Sequence, residues 1–325
     1  MKLRFLAAVA AIAAAAAAET RAEQQGSAAA DPVVGNWGLK LPYGHMYAGH
    51  MIVSRDGGGK AKAFVLWRWA SPADAKSCKL DGPAFTIKTH AGVTLKGKVV
   101  RDSMSGVAVE TKSGKEIGKF TGWRNPPSDP SASTKKARFG KPVDLLADGL
   151  DGWVNMNPKA KFGWKFENGV LSNCLGRRPD GRWAGGGANI MTKRADFTDF
   201  KLEYDVRVPE KSNSGVYLRG RYEIQVFDSF GQKPSRQNMC ALYGRIAPSV
   251  AAEKPAGEWQ HVCVVLYKRR LSVTLNGVTI IDDQPVGGPT GGAIDAVETV
   301  PGPIYLQGDH SDADFRNMFL SPALD

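Results

Sequence analysis

Between Asn213 and Ser229 the chain reads NSGVYLRGRYEIQVFDS, with chemistry-bearing residues at every second position. On an extended strand Tyr217, Arg219, Arg221, Glu223, Gln225 and Phe227 share one face. Val216, Leu218, Tyr222, Ile224 and Val226 share the other, which suits a core. The first face gathers two cations, a carboxylate, an amide and two aromatic rings. Rings stack on the apolar face of a pyranose, and forked polar groups bond its hydroxyls. The strip therefore suits a concave sugar-binding sheet, although a solvated strand face has the same alternation.

The elements that must hold this strip are read from the rest of the chain. Gly 37 and Pro 19 among 325 residues, with many short alternating runs, predict an all-β protein. Residues 1–22 read as a signal peptide. Met1 to Arg4 is a basic start, Phe5 to Ala18 an Ala-rich apolar run, and Thr20-Arg21-Ala22 a cleavage site. The run is short for a bilayer and no other window is apolar enough to span one. The expectation is an exported protein, periplasmic or secreted, without membrane insertion. The formal charge of +11 is scattered, with short clusters only at Lys135 to Arg138 and Lys268 to Arg270. Together with export, this argues for surface attraction and solubility and against nucleic acid as the partner.

A Pro/Ser-rich, polar stretch at 124–142 reads as a linker or long surface loop. Before it, residues 31–123 carry short strand-like runs and predict a small β-domain, a barrel or a sandwich. Its Trp67 and Trp69 share a strand face, and core packing is favoured over a ligand platform for both. His45 and His50, in PYGHMYAGHM, read as solvated loop histidines rather than a metal pair. After the linker, residues 143–325 predict a larger β-sandwich. Phe200–Val208 alternates, with Leu202, Tyr204, Val206 and Val208 facing one way. Arg270–Asp282 is a hairpin turning at Asn276-Gly277. Cys78, Cys174, Cys240 and Cys263 permit two disulfides in an exported chain; Cys78, expected in another domain, argues for at least one free thiol, and Cys263 reads as a buried one.

The order NSGVYLRGRYEIQVFDS, CALYGRIAPS, PAGEWQHVCVVLYKRRLSVTLNGVTIID, GPIYLQGDHSDADFRN resembles the 3-keto-disaccharide hydrolase family over about residues 143–322. The resemblance implies a concanavalin A-like, laminin-G-like jelly roll acting on 3-keto glycosides. It does not extend to residues 31–123. Where the family often reads Gln-Asp-His-Gly, this chain reads Gln307-Gly308-Asp309-His310-Ser311, and the extra glycine bears on the placement of His310.

The implied chemistry starts from a ketone at C3, which acidifies the C2 proton. A base removes that proton, the C1 oxygen leaves, and water adds to the enone, for a net hydrolysis. Direct hydrolysis by two carboxylates is the rival route. The elimination needs a base, a group to hold the enolate oxygen, and a proton donor for the leaving group. Glu223, His310 and Arg219 are the candidates for these catalytic roles. Arg221, Gln225, Glu203, Asp205, Tyr243, Gln307 and Arg316 are the candidates for holding the carbohydrate substrate. No cofactor is required, because the oxidation precedes this step. A divalent metal on the acidic face beside His310 would be another Lewis acid, though no ligand spacing demands one. The alternative is a non-catalytic carbohydrate-binding or adhesion module on the same fold. The sequence leaves the oligomeric state open.

Overall fold

The computed structural model describes residues 31–43 and 48–324. The signal-like residues 1–22 and His45 lie outside the described residues. Among those described, the regular elements are β-strands apart from 3-10 turns at Thr134–Lys136 and Gly149–Gly152. No helix in them is long and apolar enough to cross a membrane.

Two separate hydrophobic cores organise the fold. The first belongs to a nine-stranded antiparallel sheet before residue 125, in which Gly35–Lys40 pairs with both Ala48–Arg55 and Glu116–Arg124. Alternation explains its register. Trp37 and Leu39, Met51 and Val53, and Ala63, Val65 and Trp67 all turn inward and are buried. The sheet curls until Ala61–Trp67 touches Ser77–Asp81.

The second core lies between two antiparallel sheets, forming the β-sandwich after residue 142. One sheet runs in the order Trp164–Glu167, Val170–Asn173, Ala313–Leu324, Phe200–Arg207, Gln260–Tyr267, Arg270–Leu275, Val278–Pro285. The other is shorter: Trp153–Asn155, Ile190–Thr192, Tyr305–Leu306, Asn213–Leu218, Tyr222–Phe227. Leu202, Tyr204 and Val206 from the first sheet meet Val216, Leu218, Tyr222, Ile224 and Val226 from the second, all at most 1% exposed. The hairpin at Asn276-Gly277 forms as expected, with φ of 51° and 85° at its two turn residues.

Residues 124–142 run over the sandwich and are tied to it. Arg269 Nη2 donates to the carbonyls of Pro126 and Pro127. Thr134 donates through its backbone N to Asp283 at 2.9 Å and shares a hydrogen bond with Ser272 at 2.7 Å. The cysteines are all free thiols. Cys263 is opposite Glu203 on the outward side of its strand and is only half-buried, which corrects the expectation that it is a core thiol. His50 also differs from its sequence reading. It sits in the Ala48–Arg55 strand, fully buried, because it is part of the contact between the two cores.

That contact is polar at its centre. His50 Nε2 bonds Asn36 at 2.6 Å, and Arg245 reaches His50 Nδ1 at 3.3 Å. Burial, with Arg245 adding to it, holds the imidazole well below its usual range and therefore neutral. Asn125 donates to the buried Glu298 at 2.9 Å, and Tyr222 donates to the same carboxyl at 3.0 Å. Beside them Ala48 packs with Ala293 and Ala296.

Candidate active site

The strip that opened the sequence reading is a hairpin, not one strand. Asn213–Leu218 and Tyr222–Phe227 pair antiparallel around Arg219-Gly220-Arg221, with φ of 54° at Arg219 and 65° at Gly220. Two alternating runs of equal length around Arg-Gly were the available signal. The turn is three residues long, Arg219-Gly220-Arg221, and an odd turn length sets odd positions opposite odd ones, so the face assignments survive. Val216 pairs with Ile224 and Leu218 with Tyr222 toward the core. Tyr217 pairs with Glu223 and Gly215 with Gln225 on the opposite face.

That opposite face floors a cavity of about 910 Å³. Tyr217, Glu223, Gln225 and Asn213 come from the hairpin. Tyr305, Gln307, Asp309 and His310 come from the adjoining strand and the loop after it. Tyr243, Asn189 and Gly291-Gly292 close the sides, and Tyr43 and Trp69 reach in from the first sheet. The Tyr217 and Tyr305 rings stack 4.0 Å apart, 9° from parallel. Gly215 makes room for the carboxyl: a Cβ there would lie 2.4 Å from Glu223 Oε1.

The sequence candidates divide. Glu223, His310, Gln225, Tyr243 and Gln307 line the cavity. Arg219 and Arg221 do not line it, which corrects their assignment as an enolate holder and a sugar ligand. Arg219 is buried and donates to the carbonyls of Glu298 and Val300. Arg221 is clamped on Asp295 at 2.7 and 2.9 Å. Together they hold the 291–302 loop that brings Gly291 and Gly292 to the cavity. Glu203, Asp205 and Arg316 are on the other sheet, also a correction. Glu203 pairs with Lys201, and Asp205 is bonded by His261 at 2.9 Å and Arg316 at 3.1 Å. Alternation puts these residues on a polar face but does not say which of two sheets bears the cleft. The acidic residues offered for a divalent ion are thus apart from His310. Among the described residues no group of three or more His, Cys, Asp or Glu is placed to hold a metal.

The electrostatics set up an acid and a base. Glu223 is 3% exposed, and burial pushes its carboxyl up to about 8, with a hydrogen bond shared with Tyr217 opposing and like-charge repulsion from Asp309 adding to it. It therefore carries a proton at neutral pH. His310 Nδ1 bonds Asp309 at 2.5 Å, and that carboxylate raises the imidazole above its usual range. Nδ1 being held, Nε2 is the atom left to exchange a proton. Gly308 does not displace this loop from the cleft. Its N–H donates to Asn189 at 2.7 Å and its carbonyl accepts from Asn173 at 3.1 Å.

Three amide oxygens complete the lining. Asn213 Oδ1, Gln225 Oε1 and Gln307 Oε1 are buried without a partner among the described residues. An unsatisfied buried acceptor costs roughly 1 to 3 kcal/mol, which a ligand hydroxyl would recover. Of these, Gln225 and Gln307 were sequence candidates. Asn213, Tyr305, Asn189, Tyr43 and Trp69 were not; they come from separate loops and strands that only the fold assembles.

The carboxyl's burial has a measurable consequence. An unfolded Glu titrates near 4.5 and folded Glu223 near 8. Below the lower value both states hold the proton; between the two only the folded state does, so stability falls as pH rises and levels off above 8. The fall is on the order of 5 kcal/mol. Glu223→Gln removes it. Urea midpoints of the variant should exceed wild type at pH 8.5 by much more than at pH 4.5. A constant difference would mean that Glu223 is not held protonated.

Residues 142–321 match the sequence profile of the 3-keto-α-glucoside-1,2-lyase-like domain. Among solved structures, a Parabacteroides distasonis protein described as a "putative glycosyl hydrolase" is 20% identical, covering 57% of this chain and 94% of that one, with TM-score 0.44. Another so described from the same organism is 24% identical, covering 56% and 98%, with TM-score 0.42. The carbohydrate-binding module CBM66 of Bacillus subtilis is 15% identical, covering 51% and 93%, with TM-score 0.34. No curated protein matches.

Proposed function

This chain belongs to the 3-keto-α-glucoside-1,2-lyase-like family, and we propose that it is a carbohydrate-active enzyme that cleaves 3-keto-glycosides by elimination across C1 and C2. The observation that carries the reading is the pairing, in one cavity, of a protonated Glu223 with the Asp309–His310 dyad. We place its action outside the cytoplasm, from the signal-like residues 1–22.

The step balances without a redox partner. Neutral His310 Nε2 removes the C2 proton, and the electron pair moves toward the C3 carbonyl oxygen. Tyr305 stands on the cavity wall, its hydroxyl accepting from Asn189 at 3.2 Å, and it is the group we assign to the C3 oxygen. The enolate re-forms the ketone as C1=C2 forms and the C1–O bond breaks. Glu223 gives its proton to the departing oxygen. The products are a 1,2-unsaturated 3-ketosugar and an alcohol; water adding to the enone makes the net result hydrolysis. The orphaned oxygens of Asn213, Gln225 and Gln307 accept from the sugar's remaining hydroxyls.

Incubation with methyl 3-keto-α-glucoside, following alcohol release, tests the proposal. The rate should depend on pH as a bell. The acid limb lies above 6.5, because His310 must lose a proton that Asp309 helps it keep. The alkaline limb lies near 8, where Glu223 loses the proton it must donate. Binding without turnover at any pH would reject the enzyme in favour of a sugar-binding module.

A further inference from the structure

The family match begins at residue 142, yet Trp69 and Tyr43 of the first sheet line the same cavity. The strand Ala61–Trp67 ends with Trp67 in the core, at 6% exposed. Arg68 then takes φ of 63°, which breaks the alternation and swings Trp69 out to 61% exposed. A large apolar ring left in the open at the edge of a cleft is the exception that calls for a ligand. Both aromatic rings are braced. The Arg68 guanidinium lies 3.6 Å from the Tyr43 ring centre and 4.1 Å from that of Trp69, a cation between two rings.

The wall is keyed to the catalytic floor through Gly291. A Cβ there would lie 2.5 Å from the Trp69 carbonyl, so only glycine allows this approach. The Gly291 carbonyl accepts from the Tyr217 hydroxyl at 2.8 Å, and Tyr217 bonds Glu223. Trp69 thus joins the cavity where Gly291 and Tyr217 connect it to the proton donor Glu223. That is the side on which the group leaving from Glu223 must sit.

We propose that Trp69 and Tyr43 form the subsite for the leaving group, taking a ring with an apolar face, a pyranose or an aryl group, by stacking. The first sheet is then a specificity element of the active site. The assignment of Trp69 to the leaving-group side rests on the lyase reading above; its role as a stacking platform does not.

The experiment compares full-length wild type, Trp69→Ala and Trp69→Phe on two substrates, a 3-keto-disaccharide and methyl 3-keto-α-glucoside. Trp69→Ala should raise KM for the disaccharide about five- to tenfold, leave its kcat within twofold, and leave the methyl glycoside unchanged. Trp69→Phe should recover most of the loss. Equal effects on both substrates, or none, overturn the proposal. If wild type cleaves neither substrate, the lyase reading fails and the comparison is made by calorimetry with unoxidised disaccharide and methyl α-glucoside. Weaker disaccharide binding confined to Trp69→Ala supports the stacking platform; identical affinities overturn it.

Discussion

Glu223→Gln lowers the turnover of 3-keto-glycosides with sugar or alkyl leaving groups by roughly 10²- to 10⁴-fold, the usual weight of proton transfer by a positioned side chain. Gln keeps the volume and the hydrogen bond but has no proton to transfer. The loss depends on the leaving group. A sugar alkoxide is a strong base and needs the proton as the C1–O bond breaks. A 4-nitrophenolate does not, so the variant should cleave the 4-nitrophenyl substrate within about tenfold of wild type. The variant should also lose the alkaline limb near pH 8, because that limb is the titration of Glu223 itself. His310→Ala is the companion. It removes the base, so its loss should be independent of the leaving group. A Glu223→Gln defect of equal size on both substrates would assign Glu223 to C2 deprotonation or to sugar binding instead. Near-normal turnover in both variants would reject the site.

Glu298→Ala should destabilise the protein by roughly 3 to 5 kcal/mol, the range for removing one member of a buried charged network. Glu298 is 1% exposed and accepts from Tyr222 and Asn125 at 3.0 and 2.9 Å, with Arg269 at 3.9 Å and His50 at 4.0 Å. Truncation strands those donors and opens a void where the two cores meet. Glu298→Gln keeps the volume and one acceptor and should cost distinctly less. Denaturant unfolding measures both. The same lesion should blunt the disaccharide preference assigned to Trp69, because the network seats the first sheet against the sandwich. A loss below about 1 kcal/mol would show that the interface is held by its apolar contacts alone. We propose on the same grounds that residues 31–123 and 143–325 are two domains, since each closes its own core.

Much of the fold was legible because strand periodicity is a local property. Leu202, Tyr204 and Val206, and Val216, Ile224 and Val226, could be assigned to the core from alternation alone, and each is fully buried. Asn276-Gly277 announced its turn because few other residues reach positive φ at both turn positions. Even the error over Asn213–Ser229 did little harm. The Arg219-Gly220-Arg221 turn is three residues long, an odd number that keeps like parities opposite each other, so Glu223 and Gln225 remained on the face predicted for them. His310 likewise proved to lie in the cavity.

Periodicity by itself determined which side of each strand is polar; only the tertiary structure decided which polar side is a cleft. Glu203 and Asp205 alternate as cleanly as Glu223, yet they pair with Lys201, His261 and Arg316 on the outer sheet. Arg219 and Arg221 share Glu223's parity, but the 291–302 loop takes their guanidinium groups as donors for its carbonyls and for Asp295. Composition named a carboxyl; burial, a property of neighbours far apart in the chain, made it an acid that keeps its proton to about pH 8. Trp69 looked like a core residue by spacing until the φ of 63° at Arg68 turned it outward. Its place beside the catalytic floor depends on the packing of two sheets joined through a single linker, a relation that no local pattern encodes.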